Sequence, residues 1–337
     1  MSHHEKLRSL LSAKVDGKAP VFSGLIHVTE DGLASEGLAF HDIHHDPQKM
    51  ARAAASTFRL AGIPSATLPP DLCAPAEVLG AELNFYEGSR ARFPQVKKAI
   101  FESTRQIVDG HSVSPGVGLR TGRLEIICEA IALLKRDIGS DAIISGLIPG
   151  PYTLLLYLCN PANLFIEMKK EPHVVQDALR RLSTFLAQFG REYFTAGADF
   201  ITIHEMGGSP GFLGPVRFEQ FVFPALKQLT SELPKPAVLS VCGDTNKSMH
   251  LLGQAGAEAV SVDQLNDLAT SRETMPDTLL FGNIDPVQTL AMGNQKDIHD
   301  AMDKALDAGV DALWPGCDLV LGTPTKNLQT FIEYGRK

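Results

Sequence analysis

One short pattern recurs four times along the chain and limits the folds that the chain can adopt. Each copy ends an amphipathic helical stretch with Ala-Gly and begins a run of apolar or β-branched residues; the copies lie at Leu60–Ile63, Thr195–Asp199, Gln254–Glu258 and Asp307–Asp311. Glycine after the last helical turn supplies a left-handed C-cap. The pattern therefore predicts helices that alternate with strands, the arrangement that produces a parallel sheet.

Strand-like runs of this kind occur eight times, and helical patterns separate most of them. They are Pro20–Leu25, Ser65–Leu68, Ala142–Leu147, Phe200–Glu205, Pro236–Cys242, Ala259–Asp263, Thr278–Asn283 and Ala312–Pro315. Eight strands alternating with helices is the number that a closed (β/α)8 barrel requires. A doubly wound sheet is the alternative, but the chain contains no Gly-x-Gly-x-x-Gly turn.

We expect one α/β domain over residues 1–337, a TIM barrel with a helical and hairpin insertion at about residues 69–140 over the barrel mouth.

Charge and apolar patterning exclude several classes of partner. The chain has 31 basic against 39 acidic residues, a net charge of -8, which argues against a nucleic-acid surface. Residues 1–18 hold no apolar core long enough for a signal peptide, and prolines interrupt the most apolar stretch, Gly146–Cys159, so we expect no membrane span. Five widely spaced cysteines indicate a reduced, cytoplasmic protein and not a disulfide framework.

Two of the five cysteines directly follow strand-like runs. Cys242 ends its run at a Gly-Asp turn, and Cys317 lies two residues after the last run. In a barrel, the chemistry takes place at the carboxyl ends of the strands. Two thiols brought to one mouth make a soft site that suits zinc. Free cysteine is also among the most frequently buried residues, so two ordinary core cysteines are the alternative on this spacing alone.

Further motifs carry a resemblance that covers nearly the whole chain. They are Gly150–Leu154, Gly282–Pro286, Pro315–Cys317, Gly322–Pro324 and Asn327. Together they resemble the uroporphyrinogen decarboxylase superfamily, and the surroundings of Cys242 and Cys317 resemble its corrinoid-dependent methyltransferase branch. The superfamily fold is a (β/α)8 barrel, which agrees with the eight strand-like runs.

The decarboxylases themselves act on a tetrapyrrole that bears many carboxylates, so the resemblance implies a cationic pocket near the first strand. The matching stretch, residues 19–39, contains no arginine or lysine, and a polyanion would find no charge-assisted partner there. Asp71 and Tyr157 match decarboxylase catalytic positions. Without the arginines we interpret both, together with Asn283, as substrate-binding residues at the barrel mouth. The nearby histidines His44 and His45 are interpreted as part of a solvated loop.

The methyltransferase branch implies a zinc ion held by a His-x-Cys pair at one strand end and by a distant cysteine. Cys242 and Cys317 match this pattern, but Ser240 stands where the histidine is expected. A serine hydroxyl is a poor zinc ligand because it must lose a tightly held proton. The third ligand is therefore expected from another strand.

His204 and Glu205, at the end of one strand-like run, are the candidates for this third ligand. Alternation sends the two side chains to opposite faces, and Ile201 and Ile203 share a face with Glu205. Because inward isoleucines are usual in barrels, we expect Glu205 to be a ligand and a catalytic residue. His204 is the alternative, since strand ends often bulge at active sites. Asp263 ends another run and is expected to orient the substrate or a ligand.

The function that the resemblance implies is zinc-dependent methyl transfer between a methylated corrinoid and a thiol, with Cys242, Cys317 and Glu205 as catalytic residues. The cofactors would be zinc and methylcobamide, the methyl carrier. The partner would be a corrinoid protein, because the chain has no Asp-x-His-x-x-Gly motif of its own. One alternative is a first-step enzyme that demethylates an O-, N- or S-methyl substrate onto the corrinoid protein, with His204, Glu205 and Glu219 as ligands. The others are a decarboxylase-like protein without decarboxylase activity and a non-catalytic protein that docks the corrinoid carrier.

Overall fold

Parallel strands form the central sheet of the computed structural model, which describes residues 9, 11, 19–88, 92–110 and 122–336. In chain order, the strands of the described residues are β1 (Ser65–Leu68), β2 (Leu83–Asn84), β3 (Gln95–Val96), β4 (Ile143–Pro149), β5 (Phe200–Glu205), β6 (Ala237–Val241), β7 (Ala259–Val262) and β8 (Leu279–Phe281). The central sheet has the order β1-β4-β5-β6-β7-β8, and every neighbouring pair in it is parallel. β2 and β3 form a separate antiparallel pair.

The two remaining strand-like runs close the sheet through single β-bridges. Ala312 pairs with the last residue of β8, and Leu313 pairs with Val21, both in parallel. Ser23 then donates its backbone N–H to Ser65 Oγ at the start of β1, at 2.9 Å. All eight predicted segments therefore surround one barrel, and the (β/α)8 fold expected from the alternation is confirmed.

Helices cover the outside of this barrel. Those of the described residues are α1 (Glu30–Ser35), α2 (Pro47–Ala61), α3 (Ala74–Val78), α4 (Arg105–Asp109), α5 (Arg123–Ile138), α6 (Pro151–Leu158), α7 (Pro161–Lys170), α8 (Pro172–Ala196), α9 (Pro210–Leu213), α10 (Pro215–Arg217), α11 (Phe223–Glu232), α12 (Met249–Gly253), α13 (Leu268–Thr274), α14 (Gln295–Asp307) and α15 (Thr325–Arg336). Short 3₁₀ turns span Phe40–Ile43 and Asn246–Ser248, and π-helical segments span Phe218–Val222 and Pro286–Ala291. Within the described ranges, no helix is both long and apolar enough to cross a membrane.

The inside of the barrel is filled by aromatic rings at one end. Phe22 packs edge-to-face on Trp314, with ring centroids 5.1 Å apart, and on Phe281, with centroids 5.5 Å apart. Phe200 joins the same buried cluster. Because Phe200 is the first residue of β5, these rings occupy the amino-terminal half of the barrel. On β5, the polar residues Thr202 and His204 follow Phe200 on the same face, nearer the carboxyl end of the strand.

The segment between β1 and β4 is where the insertion at about residues 69–140 is expected. It includes α3, the β2–β3 hairpin and α4, while residues 89–91 and 111–121 lie outside the described residues. α5 packs against α2 and α8 and belongs to the ring of barrel helices.

Candidate metal centre

The side chains of β5 alternate between two environments. Phe200 belongs to the aromatic cluster inside the barrel, and the Thr202 hydroxyl bonds the Ser145 hydroxyl at 2.8 Å across the interior. His204 continues this inward series. The two isoleucines of β5 lie in the outer apolar layer, against the helices. On β5 the isoleucines therefore face outward, so the expectation of inward isoleucines on this strand is corrected, and with it the preference for Glu205.

Glu205 is fully buried on the outer face of β5, at the N-terminus of α6. Its carboxylate accepts hydrogen bonds from the backbone N–H groups of Tyr152 (3.0 Å), Thr153 (3.0 Å) and Gly208 (2.9 Å). The Thr153 hydroxyl donates a further bond. Burial raises the pKa of Glu205, and these hydrogen bonds act against that rise. Both oxygens are thus engaged in holding the start of α6 to the end of β5.

His204, Cys242 and Cys317 converge at the carboxyl end of the barrel. His204 Nε2 lies 2.9 Å from Cys242 Sγ and 3.9 Å from Cys317 Sγ. The two sulfurs are 3.1 Å apart, and neither cysteine is in a disulfide bond. One ligand atom from each residue lies within 4.8 Å of the others. Because one zinc ion with bonds of about 2.3 Å can bridge sulfurs up to about 4.6 Å apart, the two thiols can share an ion.

Three neighbouring elements deliver these side chains. His204 is the penultimate residue of β5 and lies directly opposite Ser240 of β6 in the parallel register. Cys242 follows β6, and its backbone N–H donates to Glu205 O at 3.2 Å, which extends the ladder by one bond. Cys317 lies in the turn after the last barrel segment. The imidazole that the His-x-Cys pattern places on β6 is therefore found on the adjacent strand.

The three side chains are strongly coupled electrostatically. The hydrogen bond between the sulfurs raises the pKa of Cys242 and lowers the pKa of Cys317 well below its usual range. Burial lowers the pKa of His204, but Asp318 and Cys317 outweigh burial and raise that pKa to about 9. The arrangement therefore favours a thiolate on Cys317. Thiolate is the form of cysteine that binds metal.

Other predicted residues support the loops around this cluster. Asp263 accepts the backbone N–H groups of Gly243 (2.9 Å) and Leu265 (3.0 Å). Asn283 donates its side-chain amide to the backbone oxygens of Asp263 (3.1 Å) and Asn266 (3.0 Å). Asp263 thus holds the Gly243 peptide, which directly follows Cys242. Asn266 was not predicted, and no motif distinguishes it.

A cavity of about 500 Å³ opens beside the cluster. Asp318 and Met206 line the part next to His204, and apolar side chains line much of the remainder. Tyr157 and Asp71, both predicted to bind substrate, also line this cavity. Its volume falls in the range of small-molecule sites. Lys97 and Lys98 border it as well.

Asp71 forms a buried ion pair in the wall of this cavity. Its oxygens accept bonds from Arg123 Nη1 (2.9 Å) and Nη2 (2.8 Å), and His44 Nδ1 lies 3.2 Å away. Burial alone would raise the pKa of Asp71, but Arg123 and His44 hold it well below its usual range. His44 is fully buried, so the solvated-loop interpretation is wrong for His44 and holds for the exposed His45.

Comparisons with known proteins agree with this architecture. The family model described as Uroporphyrinogen decarboxylase (URO-D) matches residues 3–337. The methylcobamide:CoM methyltransferase MtbA of Methanosarcina acetivorans is 29% identical over 332 residues, which cover 97% of this chain and 95% of that protein. The protein of the same name from Methanosarcina mazei is 30% identical over 315 residues, 90% of this chain and 89% of its own.

A solved structure, described as a methyltransferase from Methanosarcina mazei, superimposes with a TM-score of 0.91 at 26% identity. The superposition covers 98% of this chain and 97% of that structure. Both the sequence match and the structural match run over nearly the full length of the chain. The chain belongs to the uroporphyrinogen decarboxylase family.

Proposed function

We propose that this protein is a zinc-dependent methyltransferase that moves a methyl group between a methylated corrinoid and a thiol. The observation that carries the proposal is the convergence of His204, Cys242 and Cys317 within 4.8 Å at the barrel mouth. The names of its relatives, which include methylcobamide:CoM methyltransferases, support the corrinoid and the thiol as substrates. The five cysteines, all among the described residues, form no disulfide bond, which supports a reducing, cytoplasmic setting.

The donor set fits zinc and leaves room for a substrate. Two thiolates and one imidazole make three protein ligands of the types that zinc prefers. Catalytic zinc sites usually keep a fourth position open. Zinc bound here would lower the pKa of an incoming thiol, so that the thiol is present as the nucleophilic thiolate at neutral pH. His204 supplies the nitrogen donor that Ser240 lacks.

The remaining residues bind and orient the acceptor. The cavity beside His204 has room for a small molecule, and much of its wall is apolar. Tyr157 and Asp71, whose carboxylate accepts two hydrogen bonds from Arg123, form part of that wall. The Asp263 carboxylate holds the Gly243 peptide and through it fixes Cys242. Fixed ligands and a shaped cavity place the acceptor in line with the methyl group, which is delivered by a partner corrinoid protein.

The enzymatic alternatives are less well supported. A decarboxylase needs cations for its carboxylates, but residues 19–39 hold no arginine or lysine. Asp71 is neutralised by Arg123. A first-step enzyme with carboxylate ligands would need Glu205 or Glu219 at the metal; Glu205 caps α6, and Glu219 is exposed on the π-helical segment Phe218–Val222.

Methyl transfer from methylcobalamin tests this proposal directly. The full-length protein, loaded with zinc, is incubated with methylcobalamin and a panel of thiols, with tetrahydrofolate as a non-thiol control. We expect about one zinc per chain, loss of the methylcobalamin absorbance and formation of a methyl thioether with at least one thiol. A zinc-loaded protein that demethylates an O- or N-methyl donor onto cob(I)alamin, and transfers no methyl group to any thiol, would contradict the proposal and favour the first-step enzyme.

A further inference from the structure

His204 has one ring nitrogen at the cluster and one that faces away from it. Nε2 points toward the two sulfurs. Nδ1 is buried and, within the described part of the chain, makes no hydrogen bond of ordinary length. The Asp318 carboxylate lies just beyond that length, with Oδ2 at 3.6 Å from Nδ1. A buried ring N–H without an acceptor is unfavourable, so this pair is the contact that decides which nitrogen keeps its proton when the other nitrogen binds a metal.

Asp318 is itself held from the opposite side. Its Oδ1 accepts the backbone N–H of Ile26 at 2.8 Å, which orients the carboxylate between the first barrel segment and β5. Asp318 also follows Cys317 directly in the chain and lines the cavity. The Asp318 carboxylate thus forms part of the cavity wall and faces the imidazole of His204.

We infer that Asp318 is a positioning residue that fixes His204 with Nδ1–H toward Asp318 and with Nε2 free to bind the metal. The inference rests on the proposed zinc site and adds to it a residue outside the three ligands. A metal-bound histidine commonly donates its other N–H to a carboxylate, which sets both the tautomer and the ring orientation. Asp318 has the position and the fixed geometry for this role.

The substitution Asp318→Asn separates this role from simple packing. Asparagine keeps the shape and can still accept the Ile26 N–H through its oxygen, which leaves its amide NH₂ facing Nδ1. That amide favours the tautomer with Nδ1 as acceptor and the proton on Nε2, a form that cannot bind metal through Nε2. We expect zinc affinity to fall by about 10- to 100-fold, the range found when the partner of a metal-bound histidine is lost.

The test uses zinc titrations of the full-length protein against a competing chelator, with circular dichroism to confirm folding. Asp244→Asn is the matched control, because it removes an exposed carboxylate two residues from Cys242 whose Oδ1 bonds Asn246. This control is expected to retain the wild-type zinc affinity. As a second readout, nitrogen NMR of histidine-labelled, zinc-loaded protein reports the tautomer of His204, and we expect the proton on Nδ1.

Each outcome decides one part of the inference. Wild-type affinity in folded Asp318→Asn, or a His204 that carries its proton on Nε2 in the wild type, would overturn the positioning role. An equal loss of affinity in Asp318→Asn and Asp244→Asn would overturn it too, since the effect would then come from charge alone. A wild type that binds no zinc would instead refute the proposed metal site.

Discussion

Replacing Cys242 or Cys317 with serine is expected to abolish both zinc binding and methyl transfer while leaving the fold intact. Each sulfur is one of the three proposed ligand atoms, which all lie within 4.8 Å of one another. Loss of a residue that merely supports a ligand lowers metal affinity by about 10- to 100-fold, so loss of a ligand should exceed about 100-fold. Both cysteines follow strand ends and are only partly buried, so their removal leaves few packing contacts unfilled. Metal analysis of the purified variants and the methylcobalamin assay measure these effects.

Cys128→Ser is the matched control for these two variants. Cys128 is also a partly buried cysteine outside any disulfide bond, but it lies on α5, away from the barrel mouth. This variant should keep the zinc content and the methyl-transfer activity of the wild type. Thermal melts should show that all three variants fold. Full activity in both Cys242→Ser and Cys317→Ser would show that the cluster is not the catalytic site.

The second large effect concerns the position of the imidazole. His204→Ser should lower the zinc affinity by more than about 100-fold, because it removes the proposed nitrogen ligand. Ser240 lies opposite His204 in the parallel register, and side chains on neighbouring strands at one level lie about 5 Å apart. Exchanging the two residues, in the double variant His204→Ser with Ser240→His, places an imidazole at the level of the original one. The exchange should restore most of the lost zinc affinity, as measured by chelator competition.

Glu205→Gln supplies the contrast for this experiment. Glu205 is fully buried and accepts four hydrogen bonds outside the cluster. The NH₂ group of a glutamine at this position would face one of these donors and could not accept its hydrogen bond. We expect the unfolding free energy to fall by about 1–3 kcal/mol with no change in zinc content. Zinc lost from a folded Glu205→Gln protein would return Glu205 to the ligand set. An exchange variant that binds zinc no better than His204→Ser would show that the β6 position cannot replace the β5 position.

The barrel could be predicted from sequence because its signals are local. Helix caps such as Gly62 and the short apolar runs mark each βα unit without reference to the rest of the chain. The two cysteines could be predicted for the same reason, since strand ends in a barrel share one mouth. The histidine of the cluster could not be predicted, because alternation gives two faces for β5 and no local signal tells which face is inside. The aromatic residues of other segments, such as Phe22 and Trp314, settle that choice by filling the interior.

Residues that act through long-range pairs were also beyond the reach of the sequence. Asp71 and Arg123 are 52 positions apart, and Asp318 meets Ile26 across 292 positions. No periodicity or motif links such residues. His44 was misread for this reason, since it contacts Asp71 and packs against the ring of Phe85, both distant in sequence. Asp318 carried one weak signal, its place directly after Cys317.

X-ray absorption at the zinc edge tests the central claim most directly. In the zinc-loaded wild type, we expect about one zinc per chain. Its first shell should contain two sulfur neighbours at about 2.3 Å and an imidazole nitrogen at about 2.0 Å. The spectrum should show one sulfur fewer in any Cys242→Ser protein that still retains metal. A first shell of oxygen and nitrogen alone, or a shell that is unchanged in Cys242→Ser, would contradict a site built from His204, Cys242 and Cys317.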